Sequence, residues 1–285
     1  MMGRKKLRLW PLLSLIILVI PTATLAGAAE DSFNRGVKLY RSGKYREAIA
    51  AYDRAVKAAP NAAEAYNNRG LAYFKLGDYD NAIKNYDQAL KLEPRLADAR
   101  ANRANAHFGR KEFEGAVKDY DEVIKHNPKA PGIHRQRGLA YAALGQNEKA
   151  IEDFNQAQKL DPKDGEIYYS RGLAYRRIGR HEDAIKDYSD AIKLDPKNAQ
   201  SYNNRANAYS LMGKYDMALK DFDEAIKLDD KNARIYANRG AIKLRLGRTE
   251  EAQKDLKRAA ELDPSLREKL EALMKDVKTP PQKQR

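Results

Sequence analysis

The sequence predicts an all-α protein, an α-solenoid of seven helix-turn-helix repeats of 34 residues followed by a C-terminal capping helix. The segment "NNRGLAYFKLGDYDNAI" at 67–83 returns as "NNRANAYSLMGKYDMAL" at 203–219, an offset of 136 residues or four repeats. Cutting the chain every 34 residues from residue 29 aligns it to residue 266 without insertion or deletion. Charged residues make up 33% and mean hydropathy is -0.78, which suits a repetitive helical protein better than a single deep core.

Residues 1–28 are predicted to be a signal peptide. The basic stretch "GRKKLR" precedes an apolar run over residues 9–20, and Ala26 and Ala28 then fit a small-residue cleavage site. An uncleaved membrane anchor is the alternative, because the uncharged stretch is long enough to span a bilayer, although its two prolines argue against it. We therefore expect an exported protein, periplasmic or secreted, cleaved near Ala28. Membrane contact is expected only if the segment stays uncleaved.

The seven blocks agree at several positions, which are numbered here from 1 to 34 within each repeat. The blocks are 29–62, 63–96, 97–130, 131–164, 165–198, 199–232 and 233–266. Position 20 is alanine in all seven, and position 8 is always glycine or alanine, so we expect two helices to approach closely there. Position 15 is glycine in six blocks and ends the first helix, and position 32 is proline in six and ends the second.

These columns resemble the tetratricopeptide repeat. The second block carries its signature as Tyr66, Gly70, Tyr73, Ala82, Tyr86, Ala89 and Pro94. The resemblance covers residues 29–266 and implies a right-handed superhelix whose first helices line a concave face. The chain departs from the family at position 7, where arginine replaces the usual leucine.

A capping helix is predicted over 267–278. Leu270, Leu273, Met274 and Val277 fall on one stripe of it and would cover the exposed end of the last repeat. Residues 279–285 are predicted to be a loose basic tail.

Position 7 holds arginine in every repeat, and position 23 holds aspartate in the last five. We expect these residues to pair between the two helices of one repeat, although pairing to the preceding repeat or an anion-binding stripe are alternatives. The predicted structural pairs are Arg103 with Asp119, Arg137 with Asp153, Arg171 with Asp187, Arg205 with Asp221 and Arg239 with Asp255.

Position 6 is mostly asparagine, a mediocre residue for a helix interior. An asparagine on the concave face can donate and accept at once, which matches the amide of an extended peptide. The resemblance implies such a peptide-binding ladder, here Asn34, Asn68, Asn102, Gln136, Ser170, Asn204 and Asn238. The alternative is a harmless polar residue copied when the repeats duplicated. The carboxylate clamp of chaperone-binding family members is not expected, because position 6 is never basic.

Little in the sequence points to catalysis. There is no cysteine, so disulfides, thiolate nucleophiles and cysteine-ligated zinc are excluded. The four histidines fall at unrelated repeat positions, and no phosphate-binding glycine loop or metalloprotease motif is present. We therefore predict no enzyme, no catalytic residue, no metal site and no cofactor.

The predicted function is a protein-interaction scaffold of the bacterial envelope that binds extended peptide or partner-protein segments on its concave face. The alternative is an electrostatic adaptor for an anionic polymer or membrane surface, since the net charge is +14 and stays near +10 without the four basic residues of the signal segment. No nucleic-acid partner is expected. Self-association into a homo-oligomer through an end repeat stays open.

Overall fold

The computed structural model of this chain describes residues 27–278. The predicted tail and all of the signal segment except Gly27 and Ala28 lie outside that range. The helices are α1 (Ala28–Arg41), α2 (Tyr45–Ala58), α3 (Ala63–Lys75), α4 (Tyr79–Leu92), α5 (Ala97–Gly109), α6 (Phe113–His126), α7 (Pro131–Ala143), α8 (Asn147–Leu160), α9 (Gly165–Arg177), α10 (His181–Leu194), α11 (Ala199–Leu211), α12 (Tyr215–Leu228), α13 (Ala233–Arg245), α14 (Thr249–Leu262) and α15 (Arg267–Lys278). A short 3-10 turn at Pro264–Leu266 precedes α15, and residues 27–278 contain no strand.

The predicted all-α repeat fold is confirmed: each 34-residue block forms one pair of packed helices. Within a pair, the turn depends on position 15. This residue adopts a left-handed conformation in all seven repeats, with φ between 65° and 78°. At Gly77 the backbone then closes the end of α3, because Gly77 N donates to Phe74 O and Asp78 N donates to Tyr73 O. The one residue at this position with a side chain is Lys111, with φ 65°.

The small residues at positions 8 and 20 have different roles. All seven alanines at position 20 are fully buried at the helix crossing. The five glycines at position 8 instead face the position 24 side chain of the same repeat, which is an aromatic ring in four repeats and Leu256 in repeat 7. A Cβ on Gly70 would lie 2.7 Å from the Tyr86 ring, and one on Gly36 would lie 2.5 Å from the Tyr52 ring. At these five positions the side chain at position 24, more than a neighbouring backbone, therefore limits the size of the residue at position 8.

The chain divides into two compact units, unit 1 up to Asp161 and unit 2 from Pro162. Each unit has a series of small apolar clusters and no single deep core. One cluster in unit 1 packs Tyr120 against Ala104 and Ile133. A cluster in unit 2 packs Phe222 against Ala206 and Ile235 in the same way. This arrangement is expected of a repeat protein, in which each repeat contacts its neighbours.

The helix α15 has the predicted bounds and covers the end of the last repeat with one leucine. Leu270 is buried against Leu244 and Leu256. Leu273, predicted on the same stripe, is 36% exposed. Met274 and Val277 lie outside the described side chains. Within residues 27–278, no helix combines the length and apolarity that a bilayer crossing needs.

Candidate functional site

The structure brings together all five arginine–aspartate pairs that the sequence singled out. In each pair Nε and Nη2 of the position 7 arginine donate to the two oxygens of the position 23 aspartate at 2.6–2.8 Å. The aspartates are buried, whereas the arginines are buried or half-buried. Two parallel hydrogen bonds to one carboxylate give a strong, directional contact between the two helices of a repeat.

Four of these arginines, and Arg69 as well, also reach position 25 of the preceding repeat, a position that the sequence analysis did not consider as a partner. Arg103 Nη1 donates to Asp87 Oδ1 at 2.6 Å, and Asp87 occupies position 25 of the repeat before. The same contact, at 2.6–2.9 Å, joins Arg69 to Asp53, Arg137 to Asp121, Arg205 to Ser189 and Arg239 to Asp223. Aspartate recurs at position 25 in four repeats. Comparing the residues at position 25 with the arginines at position 7 could therefore have predicted this contact.

In repeats 2, 5, 6 and 7 the position 7 guanidinium also lies over the tyrosine ring at position 4. Arg69 lies 5.2 Å from the centroid of Tyr66, and Arg171 lies 5.6 Å from that of Tyr168. Hydrogen bonding to Asp119 raises the pKa of the Arg103 guanidinium above its ordinary value. With their donors directed at partners inside the protein, these arginines hold helices and repeats together. We refer to the arginine with its position 23 and position 25 partners as the clasp.

The position 6 column does not form an exposed ladder in this structure. Five of its seven members are buried: Asn68, Asn102, Gln136, Ser170 and Asn204. Asn34 is exposed and Asn238 is half-buried. The buried amides bond to the protein itself. Asn102 Nδ2 donates to Asn67 Oδ1 at 3.0 Å, and Asn67 Nδ2 donates to Asn68 Oδ1 at 3.1 Å, so this chain of amides crosses from one repeat to the next.

Two adjoining clefts open along the first helices of unit 2. The amide cleft, about 580 Å³, is lined by Tyr169, Leu173, Gln200, Asn203, Asn204, Asn207, Asn232, Arg234 and Asn238. The mixed cleft, about 500 Å³, is lined by Asn207, Ser210, Leu211, Gly213, Tyr215, Phe222, Asn238, Ala241, Ile242 and Arg245. Asn207 and Asn238 belong to both clefts, so the two form one groove along α9, α11 and α13.

Two side-chain amides of this groove, those of Asn207 and Asn238, are free to bind. Asn207 and Asn238 are half-buried, and their side chains make no hydrogen bond to the described part of the chain. Asn203 Oδ1 is fully buried in the wall of the amide cleft and has no partner among residues 27–278. Asn204, by contrast, is held in place, since its Nδ2 donates to Tyr169 OH at 2.9 Å and to Gln200 O at 3.0 Å. Only Asn204 and Asn238 of the predicted column line the groove.

The groove is cationic. Arg234 stands on the wall of the amide cleft and Arg245 on that of the mixed cleft. None of the described residues that line either cleft is acidic. Leu211, 61% exposed, adds apolar surface to the mixed cleft. A ligand matched to this groove has backbone or side-chain amides, a neutral or negative charge, and some apolar surface.

The histidines lie in separate places. His107 Nδ1 is 2.7 Å from Glu112 Oε2, and His134 is buried between Pro128 O and Asp153 Oδ1. His126 lines a different cleft, on α6, and His181 begins α10. Over residues 27–278 there is no group of three or more metal-ligating side chains.

Comparisons with known proteins agree with this architecture. Residues 60–276 match the family model described as the cilia and flagella-associated protein 70 C-terminal domain, and residues 33–84 match the tetratricopeptide repeat model. No curated protein sequence matches the chain.

Solved structures with this fold include other tetratricopeptide repeat proteins. One from Parabacteroides merdae is 23% identical with a TM-score of 0.65, covering 88% of this chain and 99% of its own. MamA is 27% identical with a TM-score of 0.55, covering 61% and 94%. YrrB, described as a TPR protein with an unusual peptide-binding site, is 20% identical with a TM-score of 0.56, covering 63% and 93%. The repeat columns, the paired helices and these matches lead to one conclusion: the chain belongs to the tetratricopeptide repeat family.

Proposed function

We propose that this protein is a non-enzymatic scaffold of the bacterial envelope that binds an extended segment of a partner protein in the groove of unit 2. Membership of the tetratricopeptide repeat family supports a role in protein–protein interaction. The observation that carries the finer proposal is the pair Asn207 and Asn238, whose amides face both clefts without a partner in the described chain. A side-chain amide donates and accepts together, as binding to a peptide backbone requires.

The charge of the groove restricts which peptide segments it can bind. Arg234 and Arg245 flank these amides, and the described lining contains no acid to oppose a carboxylate. A segment with acidic side chains is therefore attracted, whereas a basic segment is repelled. Tyr215 and Leu211 offer contact to one or two apolar side chains of the same segment.

The test is capture of partners from envelope extract on three baits. The parent chain is compared with the double variant Asn207→Ala and Asn238→Ala, which removes the free amides. The control is Asn34→Ala with Asn61→Ala, the same chemical change at two exposed positions of unit 1. All three must first show equal helical content and melting.

We expect proteins that the parent and the control retain and the groove variant loses, and a peptide from such a protein should then bind the parent directly. If the groove variant and the control retain the same set, recognition lies elsewhere and the proposal fails.

The envelope location rests on the predicted signal segment. It is tested by identifying the first residue of the protein purified from a periplasmic fraction or from culture medium. We expect the mature protein to begin at Ala29. A protein that keeps Met1 or Met2 and stays in the cytoplasm would refute export.

The electrostatic adaptor is the second candidate, favoured by exposed lysines on the second helices. Positions 22 and 29 supply Lys84, Lys91, Lys118 and Lys125 in unit 1 and Lys186, Lys193, Lys220 and Lys227 in unit 2. Salt separates the two functions. An adaptor should lose most of its affinity between about 50 and 200 mM salt as counterions are released, whereas a groove that binds mainly through amides should lose far less.

A further inference from the structure

The cleft on α6 that His126 lines lies within unit 1. It has a volume of about 400 Å³ and is formed where α5 begins beside the last turn of α6. Its lining includes Pro94, Arg95, Arg100, Glu122, Val123 and His126. A cleft of this size can hold a small molecule. It shares no residue with the groove of unit 2, so it is a separate site.

At position 4, repeat 3 holds an arginine where most other repeats hold a tyrosine. Tyrosine occupies this position in repeats 2, 5, 6 and 7. Tyr168 OH donates to Pro162 O at 3.0 Å, and Arg100 Nη2 donates to the equivalent oxygen, Pro94 O, at 2.8 Å. This one bond leaves Nε and Nη1 of Arg100 without a partner in the part of the chain that the structure describes. The guanidinium therefore keeps donors that a ligand can use.

Position 30 also changes in repeat 3. It holds leucine in repeats 2, 4, 5, 6 and 7, but His126 in repeat 3. The His126 ring is exposed and has no hydrogen bond or ion pair with any described residue. The cleft therefore lies where repeat 3 has a guanidinium and an imidazole in place of the tyrosine ring and leucine of repeats 2, 5, 6 and 7.

The cleft carries both signs of charge, and its opposite charges do not pair with each other. Glu122 is the one acid among the described residues that line it. Its half-buried carboxylate has no hydrogen bond or ion pair within residues 27–278, and Arg95 is unpaired as well. Arg100 forms no ion pair with Glu122 either. Charges of opposite sign that face one cleft without meeting are complementary to a ligand that carries both charges.

The rest of the cleft determines where each part of such a ligand binds. The helix α5 begins at Ala97, which also lines the cleft, and Leu96 before it provides no side-chain cap. The positive end of this helix adds to the charge of Arg100, so a carboxylate is favoured there. Glu122 can accept from an ammonium group. Val123 adds a buried apolar wall.

The geometry points to a binding site for a small zwitterion, an α-amino acid with an apolar side chain. Its carboxylate accepts from Arg100, its ammonium group donates to Glu122, and its side chain lies against Pro94 and Val123. Exposed Arg95 adds positive potential at the rim. This site goes beyond the proposed function, because an amino acid can occupy it whether or not the groove of unit 2 holds a peptide.

The test is isothermal titration calorimetry of leucine into the full chain at neutral pH and fixed salt. Isocaproate, which lacks the amine, and isoamylamine, which lacks the carboxylate, are titrated in parallel. We expect leucine to saturate one site per chain and each analogue to bind about tenfold weaker or less, because each leaves one charged group of the cleft unpaired. No saturable heat with leucine would overturn the site. Equal affinities for leucine and isocaproate would make it a simple anion site and overturn the zwitterion.

Two variants and one control locate the binding. Arg100→Tyr introduces the residue of repeats 2, 5, 6 and 7, so we expect it to fold and to lose leucine binding. Glu122→Gln keeps the shape of the side chain and should weaken leucine binding about tenfold or more. Glu114→Gln makes the same change at the exposed start of α6 and should leave binding unchanged.

Equal leucine affinity in Glu122→Gln and Glu114→Gln, or full binding in Arg100→Tyr, would refute the assignment of the ligand to this cleft. The variants that test the peptide groove, Asn207→Ala and Asn238→Ala, alter no residue of the cleft. Either proposal can therefore fail without the other.

Discussion

Lys111 shows how much a single backbone conformation matters at the scale of one residue. It ends α5 with φ 65°, a region that costs a residue with a side chain roughly 1–2 kcal/mol, whereas the equivalent positions of the other six repeats hold glycine. Lys111→Gly should therefore raise the free energy of unfolding by about 0.5–1 kcal/mol, after the added entropy of the unfolded chain is subtracted.

Chemical denaturation of the parent and Lys111→Gly measures this difference. Gly145→Ala, with φ 77° in the next repeat, is the matched control and should lower stability by about 1 kcal/mol. A neutral or destabilising Lys111→Gly would mean that the lysine side chain compensates for its backbone.

At the scale of the helix pair, the two aspartates that bind one clasp arginine contribute unequally to stability. Asp119 is buried and receives two bonds from Arg103, whereas the side chain of Asp87 is 52% exposed and receives one. Asp119→Ala leaves a half-buried guanidinium without its main partner and should cost about 3–5 kcal/mol. Asp87→Ala should cost under about 1 kcal/mol, since exposed ion pairs contribute little.

Denaturant unfolding of the two variants compares these losses directly. Equal losses would show that the contact between repeats is as important as the contact within one. If Asp119→Ala proved harmless, the guanidinium would have to find other acceptors, and the structural role of the arginine column would be in doubt.

The helix pairs were predictable because their signals are local. Glycine at position 15 and proline at position 32 end helices by backbone geometry alone, so the repeat bounds follow from the sequence. The contacts of the clasp between repeats were missed because position 25 was never compared with position 7. The groove could not be predicted, since burial decides which amides are free: Asn68 and Asn204 bond inside the protein, while Asn207 does not.

At the scale of the whole chain, the fold predicts that a substitution in one repeat destabilises mainly that repeat and its neighbours. Each repeat contacts its neighbours, so stability is close to a sum of repeat and interface contributions. Asp119→Ala in repeat 3 and Asp221→Ala in repeat 6 remove the same clasp partner from unit 1 and from unit 2. Hydrogen exchange should then accelerate most in α5 and α6 for the first variant, and most in α11 and α12 for the second.

Mass spectrometry of exchanged peptides resolves these helices, and each variant serves as the control for the other. The expected pattern is two separate maxima that decline over the adjoining repeats, because partial unfolding of one repeat exposes only its neighbours' interfaces. A uniform rise in exchange along residues 27–278 in both variants would instead mean that the chain unfolds as one cooperative block. In that case, binding in the groove of unit 2 would depend on the integrity of unit 1 as well.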